Sequence, residues 1–131
     1  MTNIELVQDT YAKFGSGDIE GLLGILSEDV HWQTPEIENA NFGGKRRGRA
    51  EVAQFFAALV AEEDMTNFEP LEFLATEDKV VVLGTSSSTV RTTGKTYHTE
   101  WVHIFTIKDG KIVSFVEFFD NAAATRAFQF D

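Results

Sequence analysis

The stretch Trp101-Val102-His103-Ile104-Phe105-Thr106-Ile107-Lys108-Asp109-Gly110-Lys111-Ile112-Val113-Ser114-Phe115-Val116-Glu117-Phe118-Phe119 decides how this chain folds. Both arms are rich in β-branched and aromatic residues, and they flank Lys108-Asp109-Gly110, which reads as a hairpin turn. A three-residue loop ending on Gly110 closes Ile107 against Lys111. In that register Phe105 lies opposite Val113, His103 opposite Phe115 and Trp101 opposite Glu117. Because side chains alternate along a strand, Trp101, His103 and Phe105 share one face with Phe115, Glu117 and Phe119. Val102, Ile104 and Thr106 share the other with Ile112, Ser114, Val116 and Phe118.

Both faces are apolar, and the first carries two ionisable groups among aromatic rings. The register makes His103 and Glu117 diagonal cross-strand neighbours, roughly 7–8 Å apart at the backbone and within reach of one another. Two readings stand. The pair satisfies itself as a buried structural contact, or it performs acid/base work in an aromatic-lined cavity, where shifted pKa values concentrate.

Upstream of the hairpin, turn signals at Glu77-Asp78 and Thr93-Gly94 extend the pattern into an antiparallel meander. The first half of the chain has a helical period instead. Ile4, Val7, Tyr11 and Phe14 form one stripe of a helix that Gly15 and Gly17 end, and Asp18 caps a second, short helix carrying Ile19, Leu22, Leu23 and Leu26. Glu28, Asp29 and Val30 lead into a strand through Trp32 and Thr34 to Pro35. Residues 35 to 48 read as a long loop whose Gly43-Gly44 pair suits a flap over a cavity mouth. Val52, Phe55, Phe56, Leu59 and Val60 mark a third helix between Gly48 and Glu62. Helices first and strands afterwards predict an α+β fold, with three helices of the N-terminal half on one face of a curved antiparallel sheet. Three helices cover one face only, so the second apolar face needs another cover, and a symmetric homodimer is the expected one.

The 131 residues, with 43% hydrophobic composition, suffice for one core, so 1–131 reads as a single domain. No apolar run is long enough to span a bilayer, and Asn3 and Glu5 stand where a signal peptide would be basic, so no membrane contact and a cytoplasmic location are expected. The chain has no cysteine, which removes disulfides and thiolate chemistry. A formal charge of -10 argues against nucleic acid as a partner. The basic cluster Lys45, Arg46, Arg47 and Arg49 reads as a solvated loop before a helix, with an anion contact as the alternative.

Specific strings resemble a known family in its own order. Tyr11-Ala12-Lys13-Phe14 with Gly17-Asp18, then Leu26-Ser27-Glu28-Asp29-Val30-His31-Trp32, is similar to its opening helices and first strand. Gly48-Arg49-Ala50-Glu51-Val52 with Phe55-Phe56, the string from Trp101 to Phe105, Asp109-Gly110-Lys111-Ile112, and Glu117-Phe118-Phe119-Asp120 are similar to its later landmarks. The chain thus resembles the SnoaL-like and ketosteroid-isomerase-like branch of the NTF2-like superfamily, which implies a cone-shaped fold with a ligand cavity. The fold hosts isomerases, cyclases, dehydratases, epoxide hydrolases and non-catalytic modules, so it does not name a reaction.

The resemblance to ketosteroid isomerases places their general base on Thr34, their protonated acid on His103 and their oxyanion tyrosine on Thr10, beside Tyr11. Threonine does not take a proton from carbon at neutral pH, so that mechanism does not carry over. The resemblance to limonene-type epoxide hydrolases places one carboxylate on Glu117, but their Arg-x-Asp pair falls on Gly84-Thr85-Ser86. SnoaL-like cyclases imply an acidic group from the last strands, a role open to Glu117 or Asp120, with His103 as partner. Alternation puts Asp120 on the face opposite Glu117 unless the strand has ended there.

His31 reads as a surface histidine, and His98 with Glu100 is too small a set for a metal site. There is no phosphate loop and no Gly-x-Ser-x-Gly elbow. The sequence therefore predicts a small-molecule acid/base enzyme without a cofactor, acting on an apolar carbonyl or enol ligand. Glu117 is the expected proton acceptor, His103 its donor or orienter, and Asp120 the further acid. Tyr11, Trp32, Thr34, Trp101, Phe115 and Phe119 are the expected ligand contacts. A binding or assembly module without turnover is the competing expectation.

Overall fold

A computed structural model describes residues 1–131. The first helix, α1 (Asn3–Gly15), begins where the Thr2 hydroxyl accepts from the Glu5 amide and the Glu5 carboxylate accepts from the Thr2 amide. The second, α2 (Ile19–Ile25), is capped by Asp18 as its sequence predicts. Next come β1 (Leu26–Thr34), β2 (Gly44–Arg47) and α3 (Arg49–Glu62). The long strands β3 (Glu63–Ala75), β4 (Lys79–Val90), β5 (Thr96–Lys108) and β6 (Lys111–Phe119) follow, and α4 (Asn121–Phe128) ends the order. All six strands form one sheet in the order β2-β1-β6-β5-β4-β3.

This is the expected α+β architecture with the expected meander from β3 to β6. The sheet is antiparallel except where β1 runs parallel to β6, setting Trp32 beside Phe115. That neighbour is supplied by the crossover through α3 and the meander, which sequence alternation does not report.

Three elements differ from the sequence reading. Residues 35 to 48 are not all loop, because Gly44–Arg47 pairs antiparallel with β1. A four-residue edge strand of glycine and cations carries no apolar alternation to announce it. The segment before it is anchored by buried Ile37 and Phe42, and the Thr34 hydroxyl donates to the Phe42 carbonyl at 3.0 Å. A fourth helix, α4, follows the meander, with Ala124, Ala127 and Phe128 buried. Its eight residues, little more than two turns and mostly alanine at the start, are too short for a helical stripe to show. The basic cluster is partly structural, since the Arg49 guanidinium donates to the Leu26 carbonyl from Nε at 3.0 Å and Nη2 at 2.6 Å.

The third difference is the register of the last hairpin. Asp109 (φ 52°) and Gly110 (φ 73°) both take left-handed backbone, making a two-residue turn that pairs Lys108 with Lys111 rather than Ile107 with Lys111. A bulge at Val113 then shifts the pairing, so that Thr106 meets Ser114, Phe105 meets Phe115, His103 meets Glu117 and Trp101 meets Phe119. Ile112 consequently turns into the core beside Ile107. The inward face survives this correction, because turn and bulge together move the register by two residues and restore parity.

Gly84 on β4 is where the sheet admits the site. A Cβ there would stand 2.2 Å from the Trp101 indole and 2.5 Å from the Glu69 carbonyl oxygen, so no larger residue fits without displacing one of them. Gly84→Ala is expected to destabilise the fold by about 1–3 kcal/mol through overpacking. Urea unfolding measures it, and a midpoint equal to wild type would show that Trp101 is not held against this backbone.

Candidate functional site

The inward residues of α1, α3, β1 and β3 to β6 line a partly open cavity of about 80 Å³ whose walls are mostly aromatic. One polar centre in it is built by α1, β5 and β6. The Tyr11 hydroxyl lies 2.8 Å from His103 Nδ1, and His103 Nε2 lies 2.7 Å from Glu117 Oε2. His103 is 4% exposed, and its ring stacks on Trp101 with centroids 4.0 Å apart. A neutral imidazole carries one donor and one acceptor nitrogen. With an ionised Glu117 taking the Nε2 proton, Nδ1 must accept from Tyr11. The phenol keeps that proton, because burial and then the Glu117 charge push its pKa up. The order Tyr11 to His103 to Glu117 is therefore a directed hydrogen-bond chain, and Glu117 Oε1 makes no hydrogen bond within the protein.

A second polar centre, not anticipated from the sequence, lies in the same cavity. Glu63, the first residue of β3, is 4% exposed and forms no ion pair. The Tyr97 hydroxyl reaches it from β5, at 2.6 Å from Oε1 and 2.7 Å from Oε2. Burial pushes the Glu63 carboxyl up to about 7, the Tyr97 and Ser88 hydroxyls pull it partly back, and the charges of Glu117 and Glu62 add to the rise. The Tyr97 phenol is likewise pushed up by burial and then by Glu63. Glu63 escapes sequence reading because it sits at a helix-to-strand junction in the run Glu62-Glu63-Asp64, which looks like a solvated surface. The inward Tyr97, at strand parity with His103, is the one available signal.

Both tryptophans also face this cavity, and the Nε1 donors of Trp32 and Trp101 are buried with no acceptor in the protein. Trp32 stacks on Phe115 at 4.0 Å between centroids.

Of the expected residues, Tyr11, Trp32, Trp101, His103, Phe115, Glu117 and Phe119 are brought together around the cavity. Two are not. Thr34 is buried but spends its hydroxyl on Phe42, and it is not part of the cavity wall. Asp120 is exposed, and its carboxylate accepts from the Ala123 amide as the N-cap of α4. The strand has ended there, as the alternative allowed, but the side chain turns to the helix terminus instead of the cavity. His31 is exposed, and His98 is bound to the Ser87 hydroxyl at 2.9 Å. No group of three potential metal ligands forms, and no helix is long and apolar enough to cross a membrane.

Comparison with known proteins agrees with the fold. The family model described as a SnoaL-like domain matches residues 7–115, and the chain belongs to that family. Among solved structures it is similar to an NTF2-like protein from Burkholderia xenovorans LB400, with 31% identity, 97% of this chain and 95% of that chain covered, and a TM-score of 0.88. An NTF2-like protein of unknown function from Burkholderia pseudomallei K96243 is 30% identical, with 98% and 99% covered and a TM-score of 0.90. TerC, co-crystallised with polyporic acid, is 34% identical, with 96% and 97% covered and a TM-score of 0.86. No curated protein matches the chain.

The raised Glu63 pKa fixes a pH dependence. Its unfolded value is near the ordinary 4.5 and its folded value about 7. Between them the folded state binds more protons, so this group's contribution falls as pH rises from about 4.5 to 7 and is level outside that window. Glu63→Gln removes the effect. Relative to wild type it is expected to gain roughly 2–3 kcal/mol between pH 4.5 and 8. Denaturant unfolding at both pH values tests this, and a pH-independent difference would refute it.

Proposed function

We propose that this chain is a cofactor-independent acid/base enzyme acting on an apolar carbonyl or enol compound. The observation that carries the reading is the Tyr11–His103–Glu117 chain inside the aromatic cavity. Glu117 Oε1 takes the proton from carbon next to a carbonyl. The C–H electrons move into a C=C bond, and the Tyr11 hydroxyl turns its one hydrogen from His103 Nδ1 to the charge developing on oxygen. Return of the proton, at the same or another carbon, completes an exchange or isomerisation. His103 has both nitrogens engaged and is a positioning residue, fixing the Glu117 carboxylate and the Tyr11 hydroxyl relative to one another. Trp32, Trp101, Phe115 and Phe119 would hold the apolar body of the ligand. The similarity to TerC, which was co-crystallised with polyporic acid, supports a small organic ligand for this chain.

The cavity volume favours a second reading. About 80 Å³ is below the roughly 300–1,000 Å³ usual for small-molecule sites. A module that binds a compact ligand without turnover meets that limit without any role for Glu117 as a base.

Deuterium exchange at carbon beside the carbonyl of cyclic and aryl ketones, followed by NMR in heavy water, separates the two. Glu117→Gln is expected to lower the exchange rate about 100-fold or more, and Tyr11→Phe about tenfold. Asp120→Ala, outside the cavity, should change it less than twofold. Polyporic acid binding, read by quenching of Trp32 and Trp101, should persist in Glu117→Gln. Binding without exchange in the wild type would select the non-catalytic module.

The homodimer belongs to the same proposal. Val102, Ile104 and Val116 on the outer sheet face are only half-buried, and Phe118 beside them is 55% exposed. A second copy laid on this face would cover them. Light scattering is expected to give a dimer that Phe118→Glu converts to monomer, and a monomeric wild type would exclude it.

A further inference from the structure

The proton transfer proposed above leaves the Glu63 end of the cavity unused. An ionised carboxylate offers about four acceptor sites, and the Tyr97 phenolic hydrogen together with the nearby Ser88 hydroxyl fills at most two. No cation neutralises it. The titratable or charged groups whose influence reaches Glu63 are Tyr97 from β5, Glu117 from β6 and Glu62 at the end of α3, and none of these is positive. Its other polar neighbours in the cavity wall are the hydroxyls of Ser86 and Ser88 on β4, both buried. Burying a carboxyl so poorly supplied with donors costs stability unless something else donates to it. Met65 and Leu59 make the nearby wall apolar, so the donor has to arrive on an apolar body.

We infer that this end is a hydroxyl subsite, in which Glu63, oriented by Tyr97, accepts a hydrogen bond from an alcohol or phenol group of the ligand. Two polar centres in one cavity then describe a two-ended ligand. One end is the carbonyl or enol handled by Tyr11 and Glu117, and the other is a hydroxyl held by Glu63. The inference rests on the proposed function only for the identity of the first end, since the hydroxyl preference needs Glu63 and Tyr97 alone. Tyr97 leaves β5 on the same face as His103, six residues away, so one strand sets both the spacing and the facing of the two centres.

Both tryptophans line the cavity, so their quenching reports occupancy directly. The test titrates β-naphthol and its methyl ether, which share a body and differ in the donor, at pH 8, where Glu63 is ionised. Wild type is expected to favour the naphthol by about tenfold or more. Glu63→Leu combined with Tyr97→Phe removes both polar partners together, which is the gentlest way to empty a buried hydrogen bond, and should bring the preference within about twofold. Glu63→Gln keeps the shape and removes the charge, and should cut the preference to a third or less if the double variant does not fold. Asp120→Ala, outside the cavity, should retain it. A wild type that binds both compounds equally, or neither, overturns the subsite, as does an unchanged preference in Glu63→Gln. A preference abolished by His103→Ala and kept by the double variant also overturns it, because the hydroxyl is then read at the other centre. Failure of the proton-transfer reading looks different: Glu117→Gln exchanges deuterium normally while the naphthol preference stays with Glu63.

Discussion

The interaction on which the rest depends is the direct cross-strand pairing of His103 with Glu117. Two features of the last hairpin produce it, a two-residue turn at Asp109-Gly110 and a bulge at Val113. The turn alone would leave the strands one residue out of phase, with Glu117 on the outer face when His103 faces inward. The bulge restores the phase, and as a result the imidazole meets a carboxylate at 2.7 Å. Once Nε2 is committed to Glu117, the tautomer is fixed and Nδ1 becomes an acceptor, which in turn orients Tyr11 across from α1. One bulge thus links a backbone irregularity to the donor order of the whole centre.

The stacking around that chain has the same consequence. An imidazole stacked on Trp101 at 4.0 Å, with the Tyr11 ring beside the stack at 5.9 Å, is confined in rotation as well as position. Trp101 is seated by the absence of a side chain at Gly84, so the orientation of an acid/base group traces back to one glycine on the neighbouring strand. Rigid support of this kind is what a catalytic or a highly selective binding centre requires, and a purely structural ion pair does not. It also explains why the cavity is small: aromatic rings packed to hold one imidazole leave little unfilled volume.

Legibility in the sequence followed the strength of local periodicity. The stripe Ile4, Val7, Tyr11, Phe14 and the alternation through Trp101, His103 and Phe105 are long enough to fix an element and a face, and these placed most of the cavity wall correctly. Asp109-Gly110 signalled a turn, but its length depends on both residues accepting positive φ, which composition alone does not decide. Thr34 and Asp120 were misjudged because strand parity continues only as long as the strand does. Both lie at strand ends, where a side chain is free to satisfy nearby backbone, the Phe42 carbonyl in one case and the Ala123 amide in the other. Glu63 was hidden for the opposite reason: among acidic neighbours, only the three-dimensional meeting of β3 with Tyr97 distinguishes it.

The two carboxyls of the cavity sit in different surroundings. Glu117 receives a hydrogen bond from an imidazole and keeps contact with solvent at its side chain, which is 18% exposed. Glu63 has a phenol that holds its own proton tightly, almost no exposure, and the Glu117 charge acting against its ionisation. The Glu117 charge raises the Glu63 pKa further, so the two ends of the cavity are not electrically independent. A ligand hydroxyl donating to Glu63 would favour its charged form, against the opposing charge of Glu117. The state of Glu63 is in this way coupled electrostatically to the other end of the cavity, without any movement of the backbone between them.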